Sequence, residues 1–267
     1  MPARYSISRL SCFRQCRLQY KFRYIDWVPV KVESIEAFMG SRVHEALQAF
    51  YDRVMDGVVE PKPWLEARYL ELWTRKAHPD LKVNREDRSI EDYREVGRRC
   101  LSDYYDAYHP FDRTKVLRTE ELIRFKVSHG GRTYDFCGVL DRLDWNAAEG
   151  VFEIHDYKTS STLPGQEEAD RDQQLALYHL AILNDHPEAQ AVKLIWHYLA
   201  FNEQIESRRS AEQLAALEKD IVAAIEEIEA CRAFPPAKGA LCAWCGYQPQ
   251  CPEWTSGPAQ GPLFEKG

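Results

Sequence analysis

Two carboxylates and a lysine, Asp141, Asp156 and Lys158, stand where a strand would carry apolar side chains. They lie in Gly138-Val139-Leu140-Asp141-Arg142-Leu143-Asp144 and in Phe152-Glu153-Ile154-His155-Asp156-Tyr157-Lys158-Thr159. In a strand, residues two apart point the same way. Phe152, Ile154, Asp156 and Lys158 therefore share a face, and its apolar start marks it as inward. Val139, Asp141 and Leu143 share a face in the same way. An unpaired charge facing a core is very costly. A divalent cation held by Asp141 and Asp156, with Lys158 beside it, removes that cost. A buried Asp–Lys ion pair at a sheet end, with Asp141 capping a turn, is the plainer reading of the tripeptide.

The cysteines form a second group. Eight of them, in a chain whose start (Met1-Pro2-Ala3-Arg4-Tyr5-Ser6) has no signal-peptide apolar region, point to metal or redox chemistry rather than disulfides. Cys242, Cys245 and Cys251 make a C-x2-C-x5-C pattern, Cys16 sits near the N-terminus, and Cys12, Cys100, Cys137 and Cys231 are scattered. The expected location is the cytoplasm.

The charge is uneven. The net formal charge is -7, yet residues 1–31 hold seven basic side chains against one acid, Asp26. A local basic surface can meet phosphate whatever the bulk charge. Hydrophobic residues at 45% and charged residues at 29% are ordinary for a soluble globular protein, and no apolar run approaches the ~20 residues that span a bilayer.

The elements that must position these groups follow from periodicity. Ser8 to Tyr24 reads as one helix with Ser8 as N-cap. Arg14, Arg17 and Lys21 then share one face for phosphate contacts, and Tyr20 and Tyr24 offer stacking surfaces for a single strand. Residues 35–56, 63–77 and 89–108 read as further helices. Residues 115–128 and 132–146 alternate around His129-Gly130-Gly131, a hairpin turn. Residues 151–158 form a strand, 167–184 a helix, 191–201 a strand and 210–232 a long helix. The expected organisation is one composite unit: a helical lobe (1–110), an α/β core (111–232) and a cysteine-bearing tail (233–267).

The order of motifs carries a resemblance. Gly40-x-x-x-His44 on a helix, Gly138-x-x-Asp141-Arg142 on a strand, Asp156-x-Lys158 on a strand and Gln174-x-x-x-Tyr178 on a helix resemble the RecB-type branch of the PD-(D/E)XK nuclease superfamily. The resemblance spans about residues 5 to 255. It implies a restriction-endonuclease-like α/β fold with a mixed central sheet. It further implies that His44, Asp141, Asp156 and the main-chain carbonyl of Tyr157 bind Mg²⁺ or Mn²⁺. Lys158 would orient or help deprotonate the attacking water, and Gln174 and Tyr178 would lie beside the metal and the strand. Either Glu120 or Glu121 fits the acid that such nucleases carry before the first acidic strand.

A second resemblance rests on Ser6-x-Ser8-Arg9-Leu10-x-x-Phe13-x-x-Cys16 followed far downstream by the C-x2-C-x5-C tail. It is similar to the iron–sulfur-bearing nucleases, among them the AddB subunit of bacterial recombination complexes and the CRISPR-associated RecB-like exonucleases. It implies Cys16, Cys242, Cys245 and Cys251 as ligands. Four thiolates suit [4Fe–4S] or Zn²⁺ alike, and the resemblance favours iron. Arg17 stands where these proteins often have proline.

Together these imply a metal-dependent DNA exonuclease acting on single strands or ends, in repair, recombination or CRISPR adaptation. The alternative is a catalytically silent DNA-binding iron–sulfur subunit of a helicase–nuclease or adaptation complex. No G-x-x-x-x-G-K-[ST] motif occurs, so a helicase partner would be another polypeptide, as would CRISPR adaptation proteins.

Overall fold

A computed structural model of the chain describes residues 4–30, 32–186, 189 and 191–255. The N-terminal segment forms not one helix but two, α1 (Ile7–Gln15) and α2 (Arg17–Tyr24), with Ser6 rather than Ser8 as the first N-cap. Cys16 between them is fully extended and accepts from Gln19 N through its own sulfur, so it caps α2. A side-chain acceptor at this position satisfies one of the orphan donors of the new helix. The break also moves Arg14 onto a different helix from Arg17 and Lys21, so the single basic face is not formed as expected.

A helical lobe follows: β1 (Glu33–Ser34), α3 (Ile35–Met55), α4 (Lys62–Lys76), β2 (Leu81–Lys82) and α5 (Ile90–Tyr108). The two short strands pair in parallel. Helix α5 starts at a capping box in which Ser89 and Asp92 satisfy each other's backbone donors. Helices α3, α4 and α5 pack on one another around Phe38, Leu47, Phe50, Leu65, Tyr69 and Leu101.

The core is a five-stranded mixed sheet in sequential order: β3 (Lys115–His129), β4 (Arg132–Asn146), β5 (Val151–Lys158), β6 (Val192–Tyr198) and β7 (Glu203–Ser207). The β3–β4 turn is two residues, Gly130 (φ 58) and Gly131 (φ 79). Both need the left-handed region, which glycine enters without steric cost. Strands β5 and β6 are parallel, joined by α6 (Gln166–Arg171) and α7 (Gln173–Asp185). The sequence reads these two as one helix over 167–184; Asp172, extended, divides them and caps α7. Strand β7, absent from the sequence reading, pairs antiparallel with β6. Helix α8 (Ala211–Ala230) and a tail of two 3-10 turns and α9 (Pro252–Thr255) are the last of the described elements. This is the mixed α/β, restriction-endonuclease-like arrangement expected from the motifs.

Helices lie on both faces. Helices α1, α7 and α8 share a core with Phe125, Leu143, Ile154 and Trp196 of the sheet, while the helical lobe meets Val116 and Tyr157. Every residue of β5 except Lys158 is therefore buried. The expected alternation fails at one place. Val139 is 44% exposed, whereas Leu140 and Leu143, three apart, are both buried in one core. The pairing passes from Thr119–Arg142 to Glu121–Leu140, and between them Glu120 takes φ 44. Such a backbone is strained for a non-glycine residue and is found where the surrounding structure fixes it. It leaves Asp141 at the seam of the two layers.

Candidate active site

Helix α3 brings His44 to that seam. His44 Nε2 lies 2.8 Å from the Tyr157 carbonyl oxygen, and Nδ1 lies 3.3 Å from Glu120 Oε1 and 3.4 Å from Asp141 Oδ2. One turn earlier, a Cβ on Gly40 would fall 3.0 Å from Thr159 Oγ1, so glycine lets α3 approach the end of β5. Asp141 Oδ2 accepts from Tyr157 N at 2.8 Å. Asp156 Oδ1 accepts from Gln174 Nε2 at 3.1 Å, and its Oδ2 lies 2.6 Å from Lys158 Nζ in an ion pair. Lys158 Nζ also faces Gln174 Oε1 at 3.5 Å. Tyr178, one turn along α7, packs its ring over Gly138.

The electrostatics are those of an anionic cluster. Burial, and then the neighbouring Asp156 charge, push the Asp141 carboxyl up to about 7. Burial acts to lower the His44 imidazole, but the Glu120 hydrogen bond and the charges of Asp141, Glu120 and Asp156 override it and raise it to about 9. Burial opposes the Lys158 ammonium too, yet Asp156 raises it overall. Asp156 thus holds Lys158 as an ammonium beside the two carboxylates. His44, Glu120 and Asp141 offer ligand atoms within 4.8 Å of one another, a nitrogen and two carboxylates of the kind Mg²⁺ or Mn²⁺ accepts. Between Glu120 and Glu121, left open by the sequence, the register decides: only Glu120 stands across from Asp141 and reaches His44.

Gly138 carries a direct stability test. A Cβ there would meet Tyr178 Cε1 at 2.4 Å, and the tyrosine is rigid and buried. Gly138→Ala should destabilise the fold by about 1–3 kcal/mol as an overpacking change. A denaturant midpoint equal to that of the parent would contradict this packing.

A sequence model of the PD-(D/E)XK nuclease superfamily matches residues 4–252. The chain belongs to that superfamily. No curated protein matches it. Among solved structures, SSO0001 is similar at 15% identity and a TM-score of 0.38, over 92% of this chain and 95% of that one. A Eubacterium rectale protein described as "Putative exonuclease" is similar at 10% identity and a TM-score of 0.48, over 98% of this chain and 91% of that one. Nucleases of this superfamily use divalent metals, and His44, Glu120 and Asp141 at the seam offer suitable donors. Among the described residues no helix of the nuclease is long and apolar enough to cross a membrane.

The nuclease gathers its four motif cysteines as well. Cys16, Cys242, Cys245 and Cys251 line one cavity of about 220 Å³ with Phe22 and Tyr247. Burial pushes the Cys245 thiol up, and the other three thiols act on it electrostatically. Backbone N–H groups of Gln19 and Ala237 point at Cys16 Sγ at 3.5 Å, and that of Gly239 at Cys242 Sγ at 3.4 Å. The basic side chains are engaged within the chain: Arg14 with Gln173, Arg17 with Glu227 and Lys21 with Asp26. Tyr20 is 1% exposed and stacks near Phe234, so it offers no surface to a strand, contrary to the sequence expectation.

The sequence reading missed a buried polar layer behind the site. Asp144 accepts from Arg142 Nε and Thr114 Oγ1, and Glu153 accepts from Asn146 and pairs with Lys193. His155 sits between these acids and stacks on His197. Asp144, Glu153 and His155 also lie within 4.8 Å of one another. Both acids already hold a cation, Arg142 and Lys193, so this group serves as a structural ion network. Its signal was present in β5: Glu153, His155 and Tyr157 alternate with the inward face, so a sheet covered on both sides must bury them.

Proposed function

We propose that this nuclease is a metal-dependent DNA exonuclease, acting on single strands or DNA ends. The observation that carries this reading is the gathering of Glu120, Asp141 and the Tyr157 carbonyl round the His44 imidazole, with the Asp156–Lys158 pair on the same strand end. A bound Mg²⁺ or Mn²⁺ would supply Lewis-acid polarisation of the phosphate and a lowered pKa for water. His44, Asp141, Asp156 and the Tyr157 carbonyl would hold the ion, with Glu120 beside them. The Lys158 ammonium stabilises the charge that develops as water adds to phosphorus and the P–O bond to the leaving sugar oxygen breaks. Gln174 orients Lys158 and Asp156 together from the N-terminal turn of α7. Tyr178 packs the same helix against β4.

Cys16, Cys242, Cys245 and Cys251 are assigned to a [4Fe–4S] cluster. Their sulfurs line one cavity, and four thiolates are the ligand set of such a cluster. Arg14, Arg17 and Lys21 are assigned to phosphate contacts, for which each would exchange its partner within the chain. Partners of the helicase or CRISPR-adaptation kind fit this reading of the chain.

The test is digestion of single strands labelled at either end by anaerobically purified protein. Loss of full-length strand with Mn²⁺ or Mg²⁺, blocked by a chelator, supports the reading; an unchanged strand on every end structure overturns it. Metal binding itself should depend on pH. Ligation requires a neutral imidazole and an ionised carboxylate. The His44 imidazole and the Asp141 carboxyl are both held above their usual ranges, so at neutral and lower pH protons would have to leave before these groups could ligate an ion. Mn²⁺ affinity should thus rise with pH up to about 9. Flat affinity from pH 6 to 9 would remove these two residues from the ligand set.

A further inference from the structure

Arg142 is 4% exposed, and its guanidinium is contacted from both layers. Nε donates to Asp144 Oδ1 at 3.0 Å, and Nη1 donates to Tyr104 OH at 2.8 Å and Tyr157 OH at 2.7 Å. The guanidinium lies over the Tyr51 ring, 4.1 Å from its centroid, and the Tyr51 and Tyr104 hydroxyls are 2.6 Å apart.

These partners sit on the elements that bear the candidate ligands. Tyr51 is two turns beyond His44 on α3, and Tyr104 is on α5. Tyr157 carries the carbonyl that faces His44, and Arg142 itself follows Asp141 on β4. One side chain thus links α3, α5, β4 and β5. A buried cation is a weak source of stability compared with apolar residues of the same volume. Its planar fork can, however, fix several partners in one arrangement, which a lysine cannot do.

We propose that Arg142 is a positioning residue for the metal centre, clamping α3 to β4 and β5 and so setting the spacing of His44, Asp141 and the Tyr157 carbonyl. This rests on the metal site proposed above. Arg142 touches neither substrate nor ion and acts through the tyrosines and Asp144.

The test is Mn²⁺ affinity, measured by titration of the full chain at pH 8, for the parent, Arg142→Lys, Tyr104→Phe and the double variant. Arg142→Lys should weaken Mn²⁺ binding about tenfold or more, as loss of an outer-shell partner does. Tyr104→Phe should weaken it by a smaller factor, and the double variant should be no weaker than Arg142→Lys, because both act through one clamp. DNA binding in chelator should be unchanged in all three. Parental Mn²⁺ affinity in Arg142→Lys overturns the proposal, as do additive losses or an equal loss of DNA binding. If Arg142→Lys does not fold, parental affinity in Tyr104→Phe overturns it. A parent that binds Mn²⁺ but digests no strand sinks the exonuclease reading and leaves this comparison standing; a parent that takes up no Mn²⁺ overturns both.

Discussion

Lys158→Ala should lower single-turnover cleavage by about 10³-fold at saturating Mn²⁺, the scale of losing a preorganised charge at a developing oxyanion. Asp156→Ala should do at least as much, because it removes a candidate ligand together with the partner that holds the lysine. Neither change should unfold the chain. Lys158 lies at the end of β5, and without it Asp156 keeps the Gln174 amide as a donor. Without Asp156, the Lys158 ammonium still faces Asp141 and Asp172 electrostatically. The two variants should differ in one respect: Lys158→Ala keeps Mn²⁺ binding, whereas Asp156→Ala weakens it. Activity within tenfold of the parent in Lys158→Ala, with circular dichroism unchanged, would exclude the assigned role.

The second large effect is on stability. Cys245→Ser should lower iron content and reduce the melting temperature by about 5–10 °C. A cluster joining Cys16 to the tail closes a loop of more than two hundred residues, and metal-binding energy in such a site is folding energy. At about 2–4 °C per kcal/mol for a chain of this size, that shift corresponds to a loss of about 1–5 kcal/mol. Cys100 provides the control. It is buried in the helical lobe, away from the cavity, so Cys100→Ser should leave iron unchanged. Equal iron in Cys245→Ser and the parent would mean that the tail binds no cluster.

The positions that carry these predictions were legible in the chain because their types conflict with their local pattern. An aspartate and a lysine on the apolar face of Phe152 and Ile154 announce themselves at period two. The hairpin was legible for the same kind of reason, since Gly130 and Gly131 are both required by their φ angles. Strand β7 was not: Glu203-Gln204-Ile205-Glu206-Ser207 is largely exposed and polar, and only its pairing with β6 makes it a strand. The break at Cys16 was also hidden, because its neighbours are all competent helix formers and the cap is made by the sulfur itself.

The sequence by itself determined which residues are chemically competent, in which order they occur and on which kinds of element most of them lie. Periodicity and side-chain type are local properties, and they survive without knowledge of the rest of the chain. Only the tertiary structure decided that Glu120 rather than Glu121 meets His44, that Asp141 stands at the seam between two layers, and that Tyr20 is buried. It also revealed the Arg142 clamp, whose partners lie as far away as Tyr51 and Tyr104. These outcomes depend on strand register and on which helix covers which face. Such choices are settled by contacts between residues distant in sequence, whose energies no local window contains.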